Sequence, residues 1–266
     1  MGTWDDVDLD AFYRGENFDA WRWMGARLSG DGADFRVLAP AAAGASVLLD
    51  GREVPMRRCL NGAVLEAHAP GVREGDAYEY RIRRPDGSAC DHADPYAFAA
   101  ELRPAHRSVV RGLCCHDWSD GAWMASRAAC HDRPLAIYEL HAGSWRKPGS
   151  EPDAWYRYDE LAEPLIEHVR SLGCTHVEFL PLAEHPFDGS WGYQVSGPFA
   201  VTSRYGTPEQ LMELVDRLHQ AGIGAILDFV PVHFATDGWA LADFDGTPLY
   251  EYPNDAVGVS EWGSHN

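Results

Sequence analysis

The chain has 266 residues, 45% of them hydrophobic, enough for one large domain or two small ones with true cores, which excludes a disordered chain. Its 22 basic residues face 41 acidic ones, a net charge of −19 that repels phosphate backbones and anionic lipid surfaces. Nucleic acid and membrane are thereby excluded as partners, and a neutral or cationic ligand is favoured.

The N-terminal stretch MGTWDDVDLD is acidic where a secretory leader would be basic and then apolar, and no apolar run reaches the ~18 residues of a membrane span. A soluble, cytoplasmic protein is expected. From about residue 34 to 84, short β runs alternate with turn signals. DFRVLAP, ASVLLD, AVLEAHAP and AYEYRIRR are separated by Asp50-Gly51, Asn61-Gly62 and the loop from Gly71 to Gly75, and Pro85-Asp86-Gly87 closes the last. In the final run Tyr78, Tyr80 and Ile82 share one face, and Glu79, Arg81 and Arg83 the other. This pattern predicts a small antiparallel β-sandwich.

Residues 91–130 show no helical period and read as a long irregular connection, with Trp118 and Trp123 packed against its neighbours. A boundary is expected near Arg133-Pro134, after which the rhythm changes to β-α. LAIYELH (135–141) predicts a strand. A helix follows near 159–172, with Leu161, Leu165, Val169 and Leu172 as its inner face, Gly173 as its stop, and a start blurred by Pro164. THVEFLP (175–181) is a second strand. Thr207, Pro208 and Gln210 form a capping-box start for a helix whose buried face is Leu211, Leu214, Val215 and Leu218, with Gly222 as its end. AILDFVPV (225–232) predicts a third strand, apolar enough to be buried on both faces. Residues 233–266 have little pattern.

Three β-α units in succession mean a parallel sheet, doubly wound or closed into a barrel. No GxGxxG follows the first strand, so the barrel is favoured, with three of its eight strands here. The six cysteines are irregularly spaced and expected to be reduced. No HExxH or paired-ligand spacing occurs among the histidines, so no metal and no cofactor are expected.

Each βα loop carries polar residues: Glu139 and His141; Glu178, then Glu184, His185 and Asp188; Asp228 and His233. Adjacent carboxylates suit glycosidic chemistry, which needs about 5 Å between them for retention, but spacing alone does not establish a pair. Glu139 and Glu178 read more simply as polar fillings of a barrel interior paired with histidines, and His168 and His176 as satisfied or surface residues. The loop HPFDGSWGYQVSG (185–197) mixes Phe187, Trp191 and Tyr193 with Gly189, Gly192 and Gly197. Rings on a shaped backbone favour a ligand surface, and flat apolar rings suit sugars.

The runs YELHAGSWR (138–146), FLPLAEHPFDGSWGYQVSGPFAVTSRYGTPEQ (179–210) and ILDFVPVHFATDGWALADFDGTPLYE (226–251) closely resemble the 1,4-alpha-glucan branching enzymes of glycoside hydrolase family 13. Upstream, FRVLAPAAAGASVLLDG, APGVREGDAYEYRI and DHADPYAF are similar to the glucan-binding sandwich that precedes the barrel in that family. The resemblance implies a multidomain chain: a tail (1–14), an immunoglobulin-like carbohydrate-binding β-sandwich (15–105), a connecting segment (106–133) and the first three β/α units of a truncated TIM (β/α)8 barrel (134–266). It implies that Asp228 and His233 match the family's first motif, His233 hydrogen-bonding the donor-side sugar and Tyr193 stacking under it, with Trp191 beside it. Val232 stands where family amylases often carry a calcium-ligating Asn, so calcium is not implied. The nucleophile, acid/base and transition-state carboxylates are expected beyond Asn266, so no catalytic residue is assigned and the 266 residues alone are expected to be inactive. The implied reaction transfers an α-1,4-glucan segment to a 6-hydroxyl by retaining double displacement in glycogen biosynthesis. A non-catalytic glucan-binding protein, or a debranching or trehalose-forming hydrolase of the same family, is the alternative; the run HPFDGSWGYQ argues against the hydrolases.

Overall fold

The computed structural model describes residues 7–59, 62–113, 116–127, 133–151 and 154–259. After a short helix α1 (Leu9–Tyr13), ten strands build two antiparallel sheets. They are β1 (Gly25–Ser29), β2 (Gly32–Leu38), β3 (Gly44–Leu49), β4 (Arg52–Pro55), β5 (Arg57–Cys59), β6 (Val64–Pro70), β7 (Ala77–Arg83), β8 (Ala89–His92), β9 (Ala99–Ala100) and β10 (Ser108–Val109). One sheet has the order β1-β2-β6-β5. The other runs β4-β3-β7-β10-β9, with β8 also on β7. The alternation in β7 does what its sequence predicts: Tyr78, Tyr80 and Ile82 are fully buried against Phe35, Val37, Val47 and Leu65. Each such side chain contributes roughly 1.5–3 kcal/mol of burial. The opposite face carries ion pairs, Arg81 with Asp91 at 2.8 Å and with Glu53 at 3.3 Å.

The segment from 91 to 130 is more regular than its sequence suggests. Its first part supplies β8, β9 and β10 to the sandwich, and a helix α2 (Gly121–Ser126) follows. Strands of two to four residues leave no readable period, so the pattern does not show in the sequence. Trp118 is half exposed, against expectation, with its ring edge-on to His116; Trp123 stacks on His219 at 5.2 Å. Asp216 and His219 tie this segment down: Asp216 accepts from the Ser119 amide at 3.1 Å, and His219 pairs with Asp120 at 2.8 Å. Asn61, Cys114, Cys115, Cys130 and the end of the chain from 260 lie outside the described residues; Cys59, Cys90 and Cys174 are free thiols.

The parallel half contains β11 (Ile137–Leu140), a helical turn α3 (Ala142–Trp145), α4 (Tyr158–Leu172), β12 (His176–Phe179), the pair β13 (Ala183–Glu184) and β14 (Gly197–Val201), α5 (Pro208–Gln220) and β15 (Gly224–Leu227). The strands β11, β12 and β15 form one parallel sheet in that order, with Glu139 opposite Glu178 and Glu178 opposite Ile226. Helix α4 runs through Pro164 and starts at Tyr158, where the Glu160 carboxylate accepts from the Arg157 amide at 3.0 Å. Burial of Leu161, Leu165 and Val169 offsets the bond that the proline removes. Leu172, expected inside, is 55% exposed, because the helix turns into the left-handed Gly173 one residue later. The capping box of α5 forms as read: Gln210 Oε1 accepts from the Thr207 amide at 2.9 Å, and Thr207 Oγ1 accepts from the Gln210 amide at 3.4 Å.

The third strand corrects the expectation most. It is four residues long, and Leu227, Phe229 and Val232 are 54%, 62% and 53% exposed. It is the edge of an open sheet, so its outer side has no partner strand among the described residues. The unpatterned tail, in contrast, has a fold of its own. Phe244 is fully buried in the sandwich core, Asp245 accepts from the Ala41 amide at 2.8 Å, and Arg84 holds Asp243 at 3.0 Å. A last short helix, α6 (Asp255–Gly258), follows.

Candidate functional site

The C-terminal ends of β11, β12 and β15 open onto one face, where βα loops place functional groups in barrel folds. Tyr193, from the loop after β12, donates its hydroxyl to Asp228 Oδ2, just past β15, at 2.6 Å. This bond to a carboxylate holds the phenol proton and pushes the Tyr193 pKa up to about 12; Glu139 and Glu178, from the two neighbouring strands, add to the shift. The structure thus brings together the first, second and third strand ends that the sequence identified separately. Asp228 is itself fixed by its amide, which donates to the Phe179 carbonyl at 3.0 Å.

Trp191 is 51% exposed and lies parallel to His141, with ring centroids 5.3 Å apart. Burial, with the Arg204 charge behind it, lowers the His141 pKa and favours a neutral ring. Trp191 adopts a left-handed backbone, φ 56°, and Gly192 follows at φ 90°. A Cβ on Gly192 would sit 2.4 Å from the Pro181 carbonyl oxygen, so the turn that lifts Trp191 outward requires glycine. Phe187 is also exposed, at 63%. The loop therefore displays rings rather than plugging a core. His233, half-buried, precedes Phe234, whose β-bridge to Val195 joins the second and third loops.

Three of the polar residues singled out in the sequence serve the loop's shape. Glu184 is buried and accepts from the Ser203 amide at 2.7 Å and from Arg204 Nη1 at 2.9 Å. Arg204, with a side chain 2% exposed, also donates from Nε to Asp188 at 2.8 Å, and Arg103 donates to the same carboxylate at 2.6 Å. These donors, Arg103 first, hold the Asp188 pKa down to about 2. His185 is buried with Nδ1 on the Ala183 carbonyl at 2.9 Å, and burial pushes its pKa down to about 4. Glu139 is exposed and Glu178 half-buried; neither meets a histidine among the described residues, so the expected pairing does not form. His176 bonds Thr175 Oγ1 at 2.8 Å and His168 packs on Tyr138, as satisfied residues. The sequence reading missed Arg204 and Arg103. The signal for Arg204 was a cation inside an otherwise uncharged TSRYG turn; nothing local marks Arg103, which lies 85 residues from its partner. Among the described residues no cluster of three or more His, Cys, Asp or Glu is placed to hold a metal ion, and no helix is long and apolar enough to cross a membrane.

Residues 23–97 match the family model of carbohydrate-binding module 48, the isoamylase N-terminal domain, and residues 163–244 match the alpha amylase catalytic domain. The whole chain is 44% identical to a 1,4-alpha-glucan branching enzyme of Rhodococcus jostii, and 97% of it is 46% identical to one of Gloeobacter violaceus. The similarity to 1,4-alpha-glucan branching enzymes thus runs through the whole chain, across both the module and the alpha amylase match. The chain spans 37% of the length of those two relatives. Two solved structures share its fold over 91% of its length: an alpha amylase from Salmonella typhimurium, with a TM-score of 0.72, 23% identity and 38% of that chain covered, and a pullulanase from Bacillus acidopullulyticus, with 0.70, 24% and 34%. At these identities the likeness concerns architecture, a module of the sandwich type followed by the start of an amylase barrel.

Proposed function

We propose that this chain is the glucan-binding module and the donor-side wall of a 1,4-alpha-glucan branching enzyme of glycogen biosynthesis, working in the cytoplasm on an α-glucan. The observation that carries this reading is the Tyr193 hydroxyl on Asp228 at 2.6 Å, at adjacent strand ends and beside the exposed Trp191. Tyr193 presents its ring to the apolar face of a glucosyl unit, its tilt fixed by Asp228. Asp228 and His233 hydrogen-bond the sugar hydroxyls, and Trp191 extends the apolar platform. In the whole enzyme the donor chain is held as a glycosyl ester and passed to a 6-hydroxyl, with configuration retained over two displacements. The groups described here bind and orient. We assign no nucleophile or acid/base among them, because the resemblance matches no residue of these 266 to the family's reactive carboxylates. We further propose residues 15–105 as the module, 106–133 as the connection and 134–266 as the barrel portion.

The test uses the purified chain with amylose and with short maltooligosaccharides. Saturable binding without new α-1,6 linkages is expected, and Tyr193→Ala should weaken binding tenfold or more. New branch points made by the chain alone would overturn the assignment of binding without catalysis. Full affinity in the Tyr193→Ala chain would overturn the site.

A further inference from the structure

A second cleft lies apart from Tyr193, at the seam between the sandwich and the parallel half. It encloses about 210 Å³ between the stretch 93–108, the loop 184–200 and the turn holding Asp237 and Trp239. Three of its features point to a ligand. Trp239 stacks on His106 at 4.5 Å and 22°, and it is half-buried while lining the cleft. Its backbone is pinned to the sandwich: the Trp239 carbonyl accepts from the Ala93 amide at 2.8 Å, and the next carbonyl, of Ala240, accepts from His92 at 2.8 Å. The ring is thus preorganised, although it follows directly on the third βα segment.

The second feature is His185, 2% exposed and lining the same cleft. Its Nδ1 meets a carbonyl oxygen, so Nδ1 must carry the hydrogen and Nε2 is left as an acceptor. No hydrogen-bond partner for Nε2 is found among the described residues, and it is not sealed off from solvent. Burial keeps the ring neutral near pH 7, so the acceptor persists there. The third feature is charge. Glu101 is paired with Arg107 at 2.7 Å, and Arg103 with Asp188, so neither is available to neutralise an ion. Asp237, an exposed lining residue, and the chain's net −19 repel anions. The rest of the wall mixes small apolar residues, Ala93, Ala97, Ala100, Ala105 and Ala200, with Ser108, Ser196 and the buried carboxylates Asp94 and Glu184, which already accept from Tyr78 and from Arg204. A ligand for this space is neutral, donates a hydroxyl and offers an apolar face to an indole, and the space suits a sugar ring rather than a large molecule.

We infer that the seam cleft is a second saccharide site, in which one glucosyl unit lies on Trp239 and donates a hydroxyl to His185, clamping the sandwich to the third βα segment. It shares the ligand class of the proposed function and none of its binding residues.

The test titrates the isotope-labelled full chain with maltotriose and follows backbone amide signals. Saturable shifts are expected at residues 97–108 and 237–239, in addition to any response of the Trp191–Tyr193 set. Trp239→Ala should weaken the seam response tenfold or more while changing the other set less than twofold. Ala105→Trp, at an exposed position on the cleft wall where the larger ring does not threaten the core, should block the seam in the same way. Tyr193→Ala should leave the seam response unchanged. Shifts confined to Trp191–His233, a seam response lost equally in Tyr193→Ala, or full seam affinity in both cleft variants would each overturn the inference. Loss in Tyr193→Ala alone would overturn it and leave the donor subsite standing.

Discussion

In the sandwich, strand β7 buries Tyr78, Tyr80 and Ile82 completely; in the parallel sheet, the more uniformly apolar β15 leaves Leu227 more than half exposed. From sequence, one face of β7 and both faces of β15 are expected to be buried. The difference is coverage: β7 has β3 on one edge, β8 and β10 on the other, and a second sheet across its face, whereas β15 pairs only with β12. An apolar strand states a demand for covering, and the surroundings decide whether it is met. The parallel half holds its shape elsewhere, in the loop after β12, where Glu184, Arg204, Asp188 and Arg103 form a chain of charges tied to backbone amides.

Paired truncations test this contrast directly. Phe244→Ala removes a ring from the closed core and should cost about 3–5 kcal/mol, while Leu227→Ala at the open edge should cost less than about 0.5 kcal/mol, both read from urea unfolding. Comparable losses at the two positions would mean that β15 is covered in solution. Arg204→Ala strips a buried carboxylate of its cation. About 3–4 kcal/mol should be lost, and amide exchange should rise across 184–204 but not in the sandwich.

A third measurement uses acid. The unfolded His185 takes up its proton near pH 6.5, the folded one only at about 4. Stability from this group is therefore complete above pH 6.5, falls as pH drops through the interval, and is lost, by about 3 kcal/mol, below 4. His185→Gln should flatten that part of the profile, and an unchanged slope would show that another group governs it. A smaller effect than at His185 belongs to Tyr193→Phe, which keeps the ring and removes the hydroxyl from Asp228. A loss of about 1 kcal/mol in stability is expected, with maltotriose binding reduced far less than in Tyr193→Ala.

Much of this was legible in the residues. Period-two alternation revealed β7 because both of its faces are used differently, and the Thr207-Pro208-Gln210 start was readable because a cap is a local contract between neighbours. The resemblance to branching enzymes was legible in the long run 179–210, whose glycines and rings meet a demanding backbone. The strands β8 to β10 were not legible, since two to four residues carry no period. Nor was the anchoring role of Asp188, because its cations come from 85 residues before it and 16 after it.

The tail from 237 to 251 shows where each source of information ends. Its sequence shows little pattern, and the resemblance attaches it to the run 226–251. Only the tertiary structure shows that Phe244 and Asp245 enter the sandwich while Trp239 faces the seam. The sequence by itself determined the two kinds of domain, the order of the elements and the residues that display rings, because these depend on contacts between near neighbours. The tertiary structure alone decided which carboxylates bind and which brace, because a carboxylate's role depends on the groups that distant segments fold against it.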